Sequence, residues 1–178
     1  MIRDATIQDV PFMQAVINSH AELGKMLFKS YGQLYEHLRD FAVFEENGEI
    51  CGCVGLAILW ADLAEVRSLA VNERYRGRGI GTQLVHWCLN EGRRLKIRKI
   101  MSLTYEQRFF ERLGFEVVEK ETLPLKVWSD CVKCPKNDKC DEIAMVRVLE
   151  EVPIMSPHLA APPTPRGVSI PVLMNESE

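Results

Sequence analysis

Long apolar runs are missing from this sequence. No stretch of about 18 or more apolar residues occurs, so no membrane-spanning helix is expected. The first ten residues, MIRDATIQDV, lack the basic-then-apolar pattern of a secretory leader. A cytoplasmic location is therefore the expectation, and the six cysteines read as thiols or metal ligands before disulfides. An excess of positive charge is missing too. Lys and Arg number 22 against 25 Asp and Glu, a net charge of −3, which argues against general affinity for nucleic acid. No internal repeat is visible. What remains is 178 residues, 47 % of them apolar, enough for one domain with a true core.

Against that acidic background, RYRGRGIG (Arg74 to Gly81) packs three arginines and three glycines into eight residues. It lies between an expected strand, LAEVRSLAV (Leu63 to Val71), and a helix in which Ile80, Leu84, Val85, Cys88 and Leu89 recur at helical spacing. A helix start offers free backbone N–H groups and a dipole that favours anions. Glycines let the backbone come close to a phosphate, and arginines add charge-assisted hydrogen bonds. Two nucleotide motifs are absent, however. Gly81 is followed by Thr82-Gln83 and not by the Lys-Ser/Thr of a Walker loop. Counting from Gly77 and Gly79, the third glycine of a Rossmann fingerprint is replaced by Thr82. An anion site of another kind is one reading, and a basic surface turn before an ordinary helix is the plainer one.

The rest of the chain alternates short strands and helices. MIRDAT reads as a first strand, with a helix from the Thr6/Asp9 capping-box spacing to about Leu23. Ser30 to Gln33 is a second capping box and opens YGQLYEHLRD. FAVFEENGEICGCVGLAIL is a hairpin around Asn47-Gly48. KIMSLT, FEVVEKE and EIAMVRVLE read as further strands, and EQRFFERL as a short helix closed by Gly114. From Glu151 onward six of the nine prolines occur, so residues 151–178 read as a loosely packed tail behind a domain of residues 1–150.

VNERYRGRGIGTQLV resembles the acetyl-CoA motif of the GNAT-type N-acetyltransferases, with Arg76, Gly79 and Gly81 on its defining positions. EVRSLAV resembles that family's fourth strand, which splays from the fifth to admit the pantetheine arm, and FFERLGF its later helix and turn. The resemblance covers residues 1 to about 150. It implies an α/β (α+β) fold, a mixed, mostly antiparallel sheet flanked by helices. It also implies acetyl-CoA as cosubstrate, held by Arg76, Gly77, Arg78, Gly79, Ile80, Gly81 and Thr82. Backbone N–H groups of Leu69, Ala70 and Val71 would polarise the thioester carbonyl. LFKSYGQLYEHLRDF, AEVRSLAV and LPLKVWSDCVKCPKNDKCDEIA narrow the resemblance to the short, stand-alone bacterial N-acetylglutamate synthases, which acetylate L-glutamate at the head of arginine biosynthesis.

Glutamate has two carboxylates, so its site needs cations. Lys29, Arg67 and Lys126 are the candidates, each with a solvated surface charge as the plainer alternative. Lys29 stands where longer synthases have arginine, which loses the bidentate fork. Glu65 shares a strand face with Arg67 and is the candidate base, acting through water; pairing with Arg67 or solvent is the alternative. Many relatives have a thiolate-protonating tyrosine where this chain has Phe110, which cannot donate, and Tyr105 is distant in sequence. Cys131, Cys134 and Cys140 form C-x2-C-x5-C in a substrate loop at about residues 121–141. Three readings stand side by side: a structural zinc completed by Asp130, Asp141, Cys51 or Cys53, a redox-sensitive cluster, and an inert one. Cys51 and Cys53 are expected on one face of their strand, as small hydrophobes. The partners expected are a small molecule and, as an open option, a second copy in a homodimer, with neither nucleic acid nor membrane. Two rival functions remain: acetylation of another small amine, and a non-catalytic acyl-CoA-binding module.

Overall fold

The computed structural model describes residues 1–123 and 141–154. Among the described residues seven strands form one sheet: β1 (Ile2–Asp4), β2 (Phe41–Glu46), β3 (Glu49–Trp60), β4 (Leu63–Val71), β5 (Lys99–Thr104), β6 (Glu116–Val117) and β7 (Ile143–Val148). Their order is β1-β2-β3-β4-β5-β7-β6, and every pairing is antiparallel except β4 with β5. The helices are α1 (Val10–Glu22), α2 (Tyr31–Glu36), α3 (Ile80–Arg94) and α4 (Gln107–Glu111). The expected mixed, mostly antiparallel α/β sheet domain is what the chain forms.

Local chemistry accounts for the element ends. Thr6 is the N-cap and Asp9 its N3 capping-box partner, but the segment they open is a 3-10 turn (Ile7–Asp9), and α1 proper begins at Val10 with Pro11 in its first turn. The Asp9 carboxylate accepts from the Thr6 backbone N–H at 2.7 Å and from two nitrogens of Arg3 at 2.7 and 2.9 Å. The Ser30/Gln33 box forms in both directions, at 3.2 and 2.9 Å. Asn47 and Gly48 both take positive φ, 53° and 78°, as a two-residue hairpin turn between β2 and β3 requires.

The sheet carries two large cores and a smaller third cluster of Leu63, Met101, Leu123 and Ala144. On one face α3 buries Ile80, Leu84, Val85, Cys88 and Leu89 against Val54, Leu56, Ala64, Val66 and Ile100. On the other α1 buries Val10, Met13 and Ile17 against Phe41 and Val43. Cys51 and Cys53 do not share a face. β2 pairs Phe44 with Gly52 but Glu45 with Ile50, so Cys51 is an extra residue in β3. That bulge turns Cys51 into the α3-side core while Cys53 enters the α1-side core. FEVVEKE contributes a strand of only two residues before a 3-10 turn at Lys120–Thr122. At the other end Val152 is buried in the α3-side core and the Val152 carbonyl accepts from Arg98, so the folded domain reaches slightly past Glu150.

Candidate active site

β4 and β5 are paired only at Leu63/Lys99, Ala64/Ile100 and Glu65/Met101. Beyond Glu65 the strands part, with the Ser102 hydroxyl donating to the Val66 carbonyl at 3.4 Å across the start of the gap. The second half of β4 therefore borders an open wedge. β4 is also bulged there. Two steps along β3, from Gly55 to Cys53, match three along β4, from Arg67 to Ala70, and Ser68 takes φ 52°. Ahead of the bulge Ala64 and Val66 face α3; after it Leu69 and Val71 do, and Ala70 turns to the α1 side. The Asn72 N–H donates to the Cys51 carbonyl of β3 at 2.9 Å. Strand alternation then points the N–H and C=O of Val71, and the N–H of Leu69, away from β3 and into the wedge.

The glycine-arginine loop closes one end of the wedge. The Asn72 side chain accepts from the Arg74 N–H at 3.1 Å and caps a short turn, Glu73–Tyr75. Gly77 and Gly79 both lie in the left-handed region, φ 75° and 74°, and a Cβ at either would meet nothing within 4 Å. Glycine is needed there for backbone conformation, and the space above the loop is open. Gly79 is the N-cap of α3, and Gly81 sits beside the Phe109 ring. Ile80 is buried in the α3-side core and anchors the first turn. Arg76 is 52 % exposed, with Glu73 at 3.7 Å. Arg78 pairs with Glu46 at 2.7 Å and lies over the Tyr75 ring.

Arg67 stands on the face opposite α3, directly across from Gly55. A Cβ at Gly55 would come within 3.1 Å of Phe41 and 3.4 Å of Arg67 Cγ, so the glycine leaves room for the arginine stem. Arg67 is 17 % exposed in its side chain; its Nη2 donates to Asp40 at 3.2 Å, and its Nε is buried without a hydrogen-bond partner among the described residues. Asp40 in turn lies 3.6 Å from His37. Glu65 is half-buried two residues earlier on the same strand, between Ala57 and Met101. Lys29 is half-buried in the link into α2, its backbone fixed by Asn18 through bonds of 2.9 and 3.1 Å. The structure thus brings Glu65, Arg67 and the bulge together beside the wedge. Gly55 and Asp40 complete the arrangement, and neither carried a sequence signal: one is a glycine in a strand, the other ends a 3-10 turn.

Phe110 is 3 % exposed and stacks edge-on with Phe109 and Phe115, so it is a core side chain. The Tyr105 hydroxyl donates to Asp141 at 2.9 Å. Lys126, Cys131, Cys134 and Cys140 lie outside the described residues. Among the described residues no group of three His, Cys, Asp or Glu could hold a metal. Cys51 and Cys53 are fully buried in separate cores, and burial pushes the Cys53 thiol up to about 12, which keeps it protonated and unsuited to ligation. No helix of the described residues is long and apolar enough to cross a membrane.

A bulged strand parting from its parallel neighbour, amides turned into the gap and an arginine-glycine loop at a helix start define an acyl-CoA-dependent transferase. Residues 12–115 match the acetyltransferase (GNAT) family, and the chain belongs to that family of enzymes. It is 39 % identical over 148 residues to an uncharacterized N-acetyltransferase of Chlorobaculum tepidum, covering 83 % of this chain and 96 % of that one. It is 34 % identical over 134 residues to the amino-acid acetyltransferase of Mycobacterium tuberculosis, 73 % of this chain and 76 % of that one. A solved M. tuberculosis protein in complex with CoA superposes with a TM-score of 0.74 at 29 % identity, over 84 % of this chain and 99 % of that one. The N-acetylglutamate synthase of Neisseria gonorrhoeae, complexed with coenzyme A and N-acetyl-glutamate, superposes at 0.76 with 26 % identity; 84 % of this chain is covered, but only 35 % of that longer protein.

Proposed function

We propose that this acetyltransferase moves the acetyl group of acetyl-CoA to the α-amine of L-glutamate. One observation carries the acceptor: a nearly buried guanidinium, Arg67, stands beside the wedge with its Nε unpartnered. A buried donor left unmade is costly, and a carboxylate is the group that a guanidinium edge fits best. Lys29 and Lys126 are the further cations of the reading. A polyamine acceptor would meet the Arg67 charge with its own. The M. tuberculosis relative's name, amino-acid acetyltransferase, supports an amino-acid acceptor, and the N-acetyl-glutamate bound to the N. gonorrhoeae neighbour supports glutamate among them.

The chemistry follows from the positions. Arg76 and the amides of Gly77 to Thr82 hold the pyrophosphate at the α3 N-terminus. The pantetheine arm lies along Leu69 to Val71 in the wedge. Glu65, through a water, takes a proton from the glutamate ammonium, and the freed nitrogen lone pair forms the N–C bond to the thioester carbonyl. The oxyanion is met by β4 amides aimed at the wedge. The C–S bond then breaks, the sulfur leaves as thiolate, and the nitrogen gives up its second proton to solvent as the neutral amide forms. Phe110 supplies no proton, and a thiol pKa of about 8.5 makes the thiolate an adequate leaving group. The test is a panel of amino acids and polyamines with acetyl-CoA, read by thiol release. L-glutamate should lead by kcat/KM; turnover led by a polyamine or a neutral amino acid would sink the acceptor assignment.

A further inference from the structure

His20 is a buried titratable side chain that this reaction leaves without a role. It lies in the last turns of α1, is 8 % exposed, and places Nε2 3.1 Å from the carbonyl oxygen of Val71. A carbonyl only accepts, so Nε2 bears the proton in this contact. Val71 is the last residue of β4, and the next peptide leads into the glycine-arginine loop. Because the Asn72 N–H faces β3, the Val71 carbonyl of the same planar peptide faces the wedge. The imidazole of α1 thus reaches across to the open edge of β4 at the point where the strand gives way to the loop.

We propose that His20 is a positioning residue for acetyl-CoA. Its N–H takes one lone pair of the Val71 carbonyl and fixes the last peptide of β4. The second lone pair and the Val71 N–H remain for the amide-bearing arm of the cofactor. The proposal rests on the wedge being the cofactor cleft and is independent of the acceptor's identity. His20→Leu keeps an apolar body without a donor; His20→Gln returns an N–H at similar reach. His20→Leu should raise the acetyl-CoA KM about tenfold, the worth of one buried hydrogen bond, and leave the acceptor KM in place. His20→Gln should recover most of the loss. Equal losses in both variants, or both KM values moving together, would reduce His20 to packing and overturn the assignment. Should the variants fail to fold, histidine-labelled wild-type protein decides by nitrogen NMR. The Nε2–H tautomer is expected in the free protein, with a shift on adding CoA and none on adding L-glutamate. The Nδ1–H tautomer, or a His20 signal indifferent to CoA that calorimetry shows to be bound, overturns the proposal. No CoA binding at all would remove the cofactor cleft and this role together, whereas loss of the glutamate assignment alone would leave both standing.

Discussion

Arg67 shows how one residue acquires a role from its surroundings. An arginine in a strand is usually a solvated charge, and LAEVRSLAV does not distinguish the two cases. Gly55 opposite, Phe41 beside it and Asp40 at one edge hold this guanidinium nearly buried with Nε unsatisfied. Arg67→Ala should therefore raise the glutamate KM by about ten- to a hundredfold, the loss of one charge-assisted hydrogen bond of about 1.5–3 kcal/mol. The acetyl-CoA KM should stay near the parent value. Initial rates with each substrate varied in turn decide this, and parallel rises in both constants would assign Arg67 to the fold. Glu65 and Arg67 were legible as a same-face pair two residues apart. Asp40 and His20 were not, because each meets its partner across 27 and 51 residues of sequence.

Among the elements, the joint between β1 and α1 is set by charge. Arg3 holds the Asp9 carboxyl at about 2, well below its ordinary value, and Asp9 is nearly inaccessible. A carboxyl depressed in the folded state stabilises it fully above its unfolded pKa near 4, and that contribution disappears as pH falls toward 2. It amounts to about 2 kcal/mol at neutral pH. Asp9→Asn should lower the urea midpoint at pH 7, and the gap to the parent should narrow as the pH drops from 4 to 2. A gap that stays constant with pH would mean that the Arg3 pair contributes nothing. The capping spacing that announced this joint was readable; the intervening 3-10 turn was not, since Asp9 serves Arg3 as well as Thr6.

For the whole molecule, a net charge of −3 coexists with a cationic, glycine-built loop at the start of α3. Gly79 keeps φ 74° with open space above it. Gly79→Asp adds backbone strain and a negative charge at the proposed pyrophosphate site, and Arg76→Ala removes a half-exposed cation. Each should weaken acetyl-CoA binding about tenfold or more by calorimetry; the thermal midpoint should change little for Arg76→Ala and fall by about 2–4 °C for Gly79→Asp, from the left-handed strain. Unchanged affinity in both variants would take the loop out of the site.

Most of the elements were local questions, and for those the sequence was sufficient. The Asn47-Gly48 turn, the 3.6-residue repeat from Ile80 to Leu89 and the strand Leu63 to Val71 depend on neighbours a few residues away, so their signals sit together in the chain. The glycine-arginine loop was readable for the same reason. Three features were decided by the tertiary structure. One is the parting of β4 from β5 after Glu65. Another is the pair of bulges that reverse strand alternation, at Cys51 and at Ser68. The last is the meeting of Arg67 with Asp40 and of His20 with Val71. A bulge exists only relative to the strand paired with it. A side chain 51 residues from its partner finds it only when the sheet closes beneath α1, so no period or spacing in the chain could announce either.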